Sequence, residues 1–335
     1  MTRGDVTAVG VLAALIALAP LVASGYQLSI LISTGLYGIA TIGLVLLVGL
    51  ARQVSLGHAA FFGLGAYVSG LLATRAGISP WLTIPAGALA AMAVAYVVGR
   101  PVLRLHGHYL AMATLGLGIV FQVVLNEWVD LTRGPSGFGS IPTATLPLPI
   151  AGGETASLYL VWLAALAVLA LSLWLVRSSP GRALRAIGDS EVASELLGLH
   201  TADWKLRVFT LSGAYAGLAG ALYANYVTFL SPQPFGFIFS LELLVMAVVG
   251  GLASVWGGMV GAFTLVVLTE TLRRSLPEWL PGSSGELELV LFGVALAAMV
   301  LLRPTGLVGL AAAGLGRARS LRAAPATAEE PLHAG

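Results

Sequence analysis

The sequence predicts an all-α polytopic membrane protein with about ten membrane segments. Three observations carry this prediction. Only 10% of the 335 residues are charged, whereas a soluble protein carries about 25%. Mean hydropathy is +0.93. Apolar runs of span length recur along the chain. A globule of this size in water needs charge to cover its surface, so a soluble enzyme, a nucleic-acid binder and a disordered chain are excluded. The net charge of +2 is too small to select an electrostatic partner. There is no cysteine, hence no disulfide and no thiolate metal site. The 42 glycines exceed the ordinary usage of about 7% and suit a bundle whose helix backbones approach closely.

A membrane helix takes about 20 mainly apolar residues. Candidates fall at 7–24, 28–50, 56–74, 81–99, 107–125, 157–176 and 208–230, with a last one at 287–302. Arg3 before the first run, and the small residues Val22-Ala23-Ser24 after it, would also suit a signal peptide. That run is longer than the usual h-region and Asp5 weakens its basic flank, so a retained span is expected. The stretch 240–271 decides the count. As one helix it would rise about 48 Å, too long for a bilayer core of about 30 Å. Gly250-Gly251 and Gly257-Gly258 weaken a helix there. Two shorter helices meeting near Ser254 are expected instead, which makes ten segments with both termini cytoplasmic.

The positive-inside rule tests this count. Thirteen basic residues then lie inside: Arg3, Arg52, Arg100, Arg104, Arg177, Arg182, Arg185, Lys205, Arg207, Arg303, Arg317, Arg319 and Arg322. Four lie outside: Arg75, Arg133, Arg273 and Arg274. Nine segments would give eleven against six, so ten fit better. Transporters often carry an inverted structural repeat; no sequence repeat marks one here, and that question stays open.

The membrane domain covers residues 1–310. Residues 126–156, rich in Gly, Pro and Thr, read as an extracytoplasmic loop. Residues 311–335 read as a disordered cytoplasmic tail. The cytoplasmic stretch 177–207 is the most charged part of the chain and has helix signals. Ser179-Pro180 supplies a cap and a first helical residue, and Ala183, Leu184 and Ile187 recur at helical spacing. Gly188 is expected to stop that helix. Asp189 or Ser190 caps a second one, with Glu191 in its first turn and Gly198 at its end. Val192, Ala193, Leu196 and Leu197 make its apolar face. That face either packs on the membrane bundle or docks on a cytoplasmic partner.

The segment Pro180-Gly181-Arg182-Ala183-Leu184-Arg185-Ala186-Ile187, continuing to Glu191, Ala193, Gly198 and Lys205, resembles the coupling loop of bacterial branched-chain amino acid ABC importers. Four further stretches agree with the same family: Gln53 through Gly63 (QVSLGHAAFFG), His108 through Gly116 (HYLAMATLG), the glycine-rich Met246–Gly258, and Arg303 through Leu310 (RPTGLVGL). Together they cover roughly residues 28–310 in the family's order. The mid-chain and C-terminal stretches favour the M-type of its two paired permease subunits. One departure is Ala51-Arg52, where the family commonly has small residues including Gly.

The resemblance implies a translocation subunit in a bacterial cytoplasmic (inner) membrane. Its partners would be a second permease subunit, two cytoplasmic ATPases and an extracytoplasmic substrate-binding protein, with no nucleic acid. ATP-Mg would sit on the ATPases, and this chain would bind no cofactor. The residues expected at the ATPase contact are Arg182, Arg185, Asp189, Glu191, Ala193, Leu196, Gly198 and Lys205. The rivals are the same architecture importing urea or a sugar, a stand-alone carrier or channel, and a multispan enzyme or scaffold.

The residues themselves argue against catalysis. The lone lysine, Lys205, follows Trp204, so there is no G-x-x-x-x-G-K-[ST] phosphate loop. No G-x-S-x-G or H-E-x-x-H occurs, and His106 and His108, without a carboxylate nearby, read as an interfacial pair. No ladder of charge crosses the spans, as a proton-coupled carrier would need. Glu242 and Glu270, near span ends, read as solvent or headgroup contacts. Candidates for a translocation path are the hydroxyl and amide groups of Gln53, Ser55, Thr114 and Gln122, together with His58 at a span start. Gly250, Gly251, Gly257 and Gly258 either expose backbone to a cavity or pack helices closely. The glycines at 213, 217 and 220 read as a packing face.

Overall fold

The computed structural model describes residues 3–144, 153–279, 293 and 306–309. Among these the chain is helical, without a strand, and one isolated bridge pairs Phe138 with Leu230. The helices are α1 (Arg3–Val22), α2 (Gly25–Leu44), α3 (His58–Arg75), α4 (Pro80–Val102), α5 (His108–Glu127), α6 (Val129–Thr132), α7 (Gly153–Arg177), α8 (Ser179–Asp189), α9 (Glu191–Leu196), α10 (Thr201–Val227), α11 (Phe237–Gly250) and α12 (Trp256–Trp279). A π-helical turn, Val45–Leu50, prolongs α2.

Among the described residues, five helices are long and apolar enough to cross a membrane: Gly4–Val22, Gly25–Leu50, Pro80–Val102, His108–Glu127 and Gly153–Arg177. The expected spans at 56–74 and 208–230 form α3 and α10, which are less apolar than these five. Burial explains why. α10 packs on α2, α3 and α4 at the centre of the bundle, so its neighbours are protein rather than lipid and its surface tolerates Ser, Thr and Gly. The Gly65, Gly87 and Gly217 backbones meet there: a Cβ on Gly65 would lie 2.0 Å from the Gly217 carbonyl oxygen, and one on Gly87 2.6 Å from that of Gly65. Helices α7 and α12 flank α2, and α1 lies outermost on α7. Its Asp5 pairs with Arg177 at 2.5 Å.

The stretch 240–271 is two helices, as expected. α11 ends at Gly250, Gly251 turns at φ 113°, and α12 starts at Trp256. A residue with a Cβ is strained at that φ, which is why the turn falls on glycine. The span expected at 287–302 lies, but for residue 293, outside the described residues, as does the tail 311–335.

Residues 126–144 of the 126–156 loop are folded onto the bundle. Helix α6 and the turn Gly134–Ser136 fold back, and Arg75 donates to the Asp130 and Leu131 carbonyls. Phe138 and Ile141 are buried, Phe138 edge-on to Tyr67. Residues 145–152 lie outside the described part.

Candidate functional site

The 177–207 loop is a braced, two-helix unit. Pro180 sits in the first turn of α8, where its missing N–H costs nothing. Leu184 and Ile187 are buried. Arg185 donates to the Val176 carbonyl at 2.8 Å and Arg182 to that of Arg177 at 3.2 Å. Both arginines thus satisfy carbonyls at the end of α7 and complement its dipole. Gly188 does not stop α8, which runs on to Asp189. This glycine is needed for closeness instead: a Cβ there would come within 2.2 Å of the Leu50 carbonyl oxygen. Helix α8 therefore rests on the π turn of α2.

Ser190 caps α9 by accepting from the Ala193 N–H, and Gly198, at φ 83°, follows its end. Lys205, expected at the ATPase contact, points inward. Its side chain is 3% exposed and its Nζ lies 2.5 Å from Glu191 Oε2. The Thr201 hydroxyl donates to Glu195 Oε1 at 2.7 Å and lies 3.3 Å from Glu191 Oε1. Burial pushes the Glu191 carboxyl up, but the hydrogen bond and charge of Lys205, with Thr201, outweigh it and hold it below the usual carboxylate value. The pair is internal because Lys205, four residues into α10, faces α9 across the turn. What remains outward is Asp189, Val192, Ala193, Leu196 and Leu197. Leu196 and Leu197 are 84% and 82% exposed. Among the described residues nothing covers the apolar face.

The residues expected along a path divide into two groups. Ser55, His58 and Thr114 are fully buried and tie helices together. His58 lies between Ser55 Oγ (3.0 Å) and Ser212 Oγ of α10 (2.6 Å). The Leu56 N–H donates to Thr114 of α5, and the Ala59 N–H to Ser240 of α11. So the 53–63 segment anchors α3 to three other helices. Gln53 donates to the nearby Ala51 carbonyl. The glycine pairs are buried at the crossing of α11 and α12: a Cβ on Gly250 would lie 1.8 Å from the Gly257 oxygen, and one on Gly258 2.8 Å from Ile42. Close packing is the reading the contacts give. Arg52 adopts φ 53°, a left-handed conformation that suits glycine.

Gln122 lines an open cavity of about 560 Å³, with Tyr37, Gln233, Gly236, Phe239 and Glu242. Glu242 is half-buried there rather than free in solvent. Helix α11 starts at this cavity, and no side chain caps its first turn. Its free N–H groups and the Glu242 carboxyl offer opposite polarity within one site. Sequence reasoning missed this cluster. The available signal was a carboxylate five positions into an otherwise apolar run. Glu270, nine residues before the end of α12, contacts Tyr26 and Arg274, protein partners in place of the expected solvent or headgroup contact.

Residues 26–300 match the family described as the permease component of branched-chain amino acid transport systems. The chain is 34% identical to the high-affinity branched-chain amino acid permease LivM of Escherichia coli K12, over 86% of this chain and 71% of that protein. It is 26% identical to LivH of the same organism over 82% of this chain and 91% of that protein. It is also 26% identical to the autoinducer 2 import permease LsrC of Yersinia enterocolitica, over 73% of this chain and 60% of that protein. No solved structure matches the chain. With most of its length aligned and its apolar helices of spanning length, the chain belongs to the permease-component family of branched-chain amino acid transport systems.

Proposed function

We propose that the chain is the translocation subunit of an ABC importer that moves leucine, isoleucine and valine into the cytoplasm. It would cross the inner membrane ten times, with both termini cytoplasmic. It would pair with a second permease subunit, two ATPases carrying ATP-Mg and an extracytoplasmic binding protein. The observation that carries this reading is the α8–α9 unit: firmly braced from within, yet apolar and, among the described residues, uncovered on its outer side. A surface helix with no partner has no reason to expose Leu196 and Leu197 side by side.

A mechanical route runs inward from that face. Helix α8 abuts the π turn of α2 at Gly188. The π turn in turn abuts the break between α11 and α12, since a Cβ on Gly49 would lie 2.2 Å from the Leu252 oxygen. Movement of α8 by an ATPase would therefore press on the broken segment, whose other end opens on the Glu242 cavity. There the substrate ammonium would meet Glu242, and its carboxylate the uncapped start of α11. The second permease would close the open side. Low affinity suffices, because the binding protein supplies selection.

The test is uptake by vesicles holding the whole complex and its binding protein. Leucine, isoleucine and valine should move in an ATP-dependent way and compete with one another. The similarity to an autoinducer 2 permease favours a second reading, the same architecture with another small solute. ATP-dependent uptake of urea or a sugar, without movement of the three amino acids, would select it. Uptake by this chain without any ATPase would select a stand-alone carrier.

A further inference from the structure

A second groove, separate from the Glu242 cavity, lies between the end of α4 and the start of α10. Its volume is about 740 Å³, and its lining includes Tyr96, Arg100, Arg104, His106, Asp203 and Arg207. All four basic side chains are exposed. Among the described residues none of them forms an ion pair. Three guanidinium groups around one groove repel one another, and a single aspartate does not balance them. Such an arrangement is stable only with an anion or bulk water between the charges.

Two of the arginines are held in place. Arg100 lies 4.5 Å from the centre of the Tyr96 ring and donates to its hydroxyl. Arg207 lies 4.7 Å from the centre of the Trp204 ring. Stacking orders a guanidinium before a ligand arrives, which lowers the entropy lost on binding. Tyr and Trp also mark the depth of the membrane–water boundary. The charges therefore sit at headgroup level.

On α4, one and two turns before Tyr96 and farther from the charges, Met92 and Leu89 share its face, and both are exposed. A basic pocket opening onto an exposed apolar helix face matches one ligand shape: a phosphate with acyl chains attached. We infer that this groove binds the headgroup of an anionic phospholipid, with Arg100, Arg104 and Arg207 on the phosphate and the chains along α4. Basic pockets between membrane helices have this chemistry in general. The apolar run along α4 is what favours a lipid over free phosphate or an acidic protein surface.

The test uses the purified full-length chain in detergent, titrated with phosphatidylglycerol or with phosphatidylcholine, and bound lipid is counted by native mass spectrometry. Wild type should retain phosphatidylglycerol in preference to phosphatidylcholine. Arg104→Gln should weaken that retention about fivefold, the weight of one basic residue near an anionic surface, and the triple change at 100, 104 and 207 correspondingly more. Arg52→Gln, which removes a cytoplasmic-side charge outside the groove, should leave it unchanged. If the triple variant does not fold, Arg104→Gln alone decides, since Arg104 is exposed and makes no ion pair. Equal retention of the two lipids, an undiminished signal in Arg104→Gln, or an equal loss in Arg52→Gln would overturn the inference. So would binding of inorganic phosphate without preference for the anionic lipid. None of these readouts depends on which solute the protein transports.

Discussion

Removing Glu191 and removing Lys205 should have unequal effects, although the two residues form one ion pair. The Lys205 side chain is 3% exposed and that of Glu191 33%. In Glu191→Gln the ammonium is left with no counter-charge and almost no water. Breaking a fully buried pair costs about 3–5 kcal/mol. Water already reaches this carboxylate, so the cost here is smaller, about 2–3 kcal/mol. In Lys205→Met the apolar stem is retained, and the stranded carboxylate keeps water and Thr201. That change should cost about 1 kcal/mol, the scale of a pair open to solvent. The assay is amide hydrogen exchange over residues 191–201, which reads local opening directly. Opening should rise about 30- to 160-fold in Glu191→Gln and about fivefold in Lys205→Met. The double variant should resemble Lys205→Met, because no charge is then stranded in the interior. If Lys205→Met opens the loop as much as Glu191→Gln does, burial does not set the energetics of this pair and the reasoning fails. The pH dependence has a definite sign. The Glu191 carboxyl lies below its ordinary value in the fold, so its contribution is fully present above that value and is lost as the pH falls through the lower one. Wild-type protection should be flat from pH 8 down to about 5 and decline only below that.

Three further outcomes are expected. Leu196→Asp changes a side chain that is 84% exposed, so thermal stability should stay within about 0.5 kcal/mol of wild type. ATP-driven transport should nevertheless fall; normal transport would mean that this face is not where the ATPase docks. Arg52→Gly relieves a left-handed residue at φ 53° and should stabilise the protein by about 1 kcal/mol, read as a raised unfolding temperature. The chain has no cysteine, so Ser190→Cys and Ser140→Cys report orientation cleanly with an impermeant thiol reagent. Position 140 should react from outside intact cells and position 190 only after permeabilisation; the reverse pattern would invert the topology.

Much of the architecture was legible because its signals are local. Pro180, Ser190 and Gly198 act within one helical turn of themselves, so the boundaries of α8 and α9 could be read from neighbours alone. The apolar run from 240 to 271 was too long for one bilayer crossing, and the pairs Gly250-Gly251 and Gly257-Gly258 supplied cheap backbone for a turn, so the break could be placed within a few residues. Gly188 misled for the opposite reason. A glycine near a helix end looks like a stop, and nothing beside it reveals that the Leu50 carbonyl lies against it.

The sequence by itself determined that this is a helical membrane protein, where its chain turns, and to which family it belongs. Hydropathy, capping and motif order are properties of contiguous residues. The tertiary structure alone decided what the polar residues do. Ser55, His58 and Thr114 became a buried knot, Arg182 and Arg185 a cap on α7, and Lys205 an internal brace. Tyr37, Gln122 and Glu242 were brought to one cavity from three helices. A polar side chain in an apolar helix has the same local sequence whether it faces a cavity, a carbonyl or a partner. Which of these it meets depends on how helices far apart in the chain cross, and here close contacts between glycine backbones set those crossings.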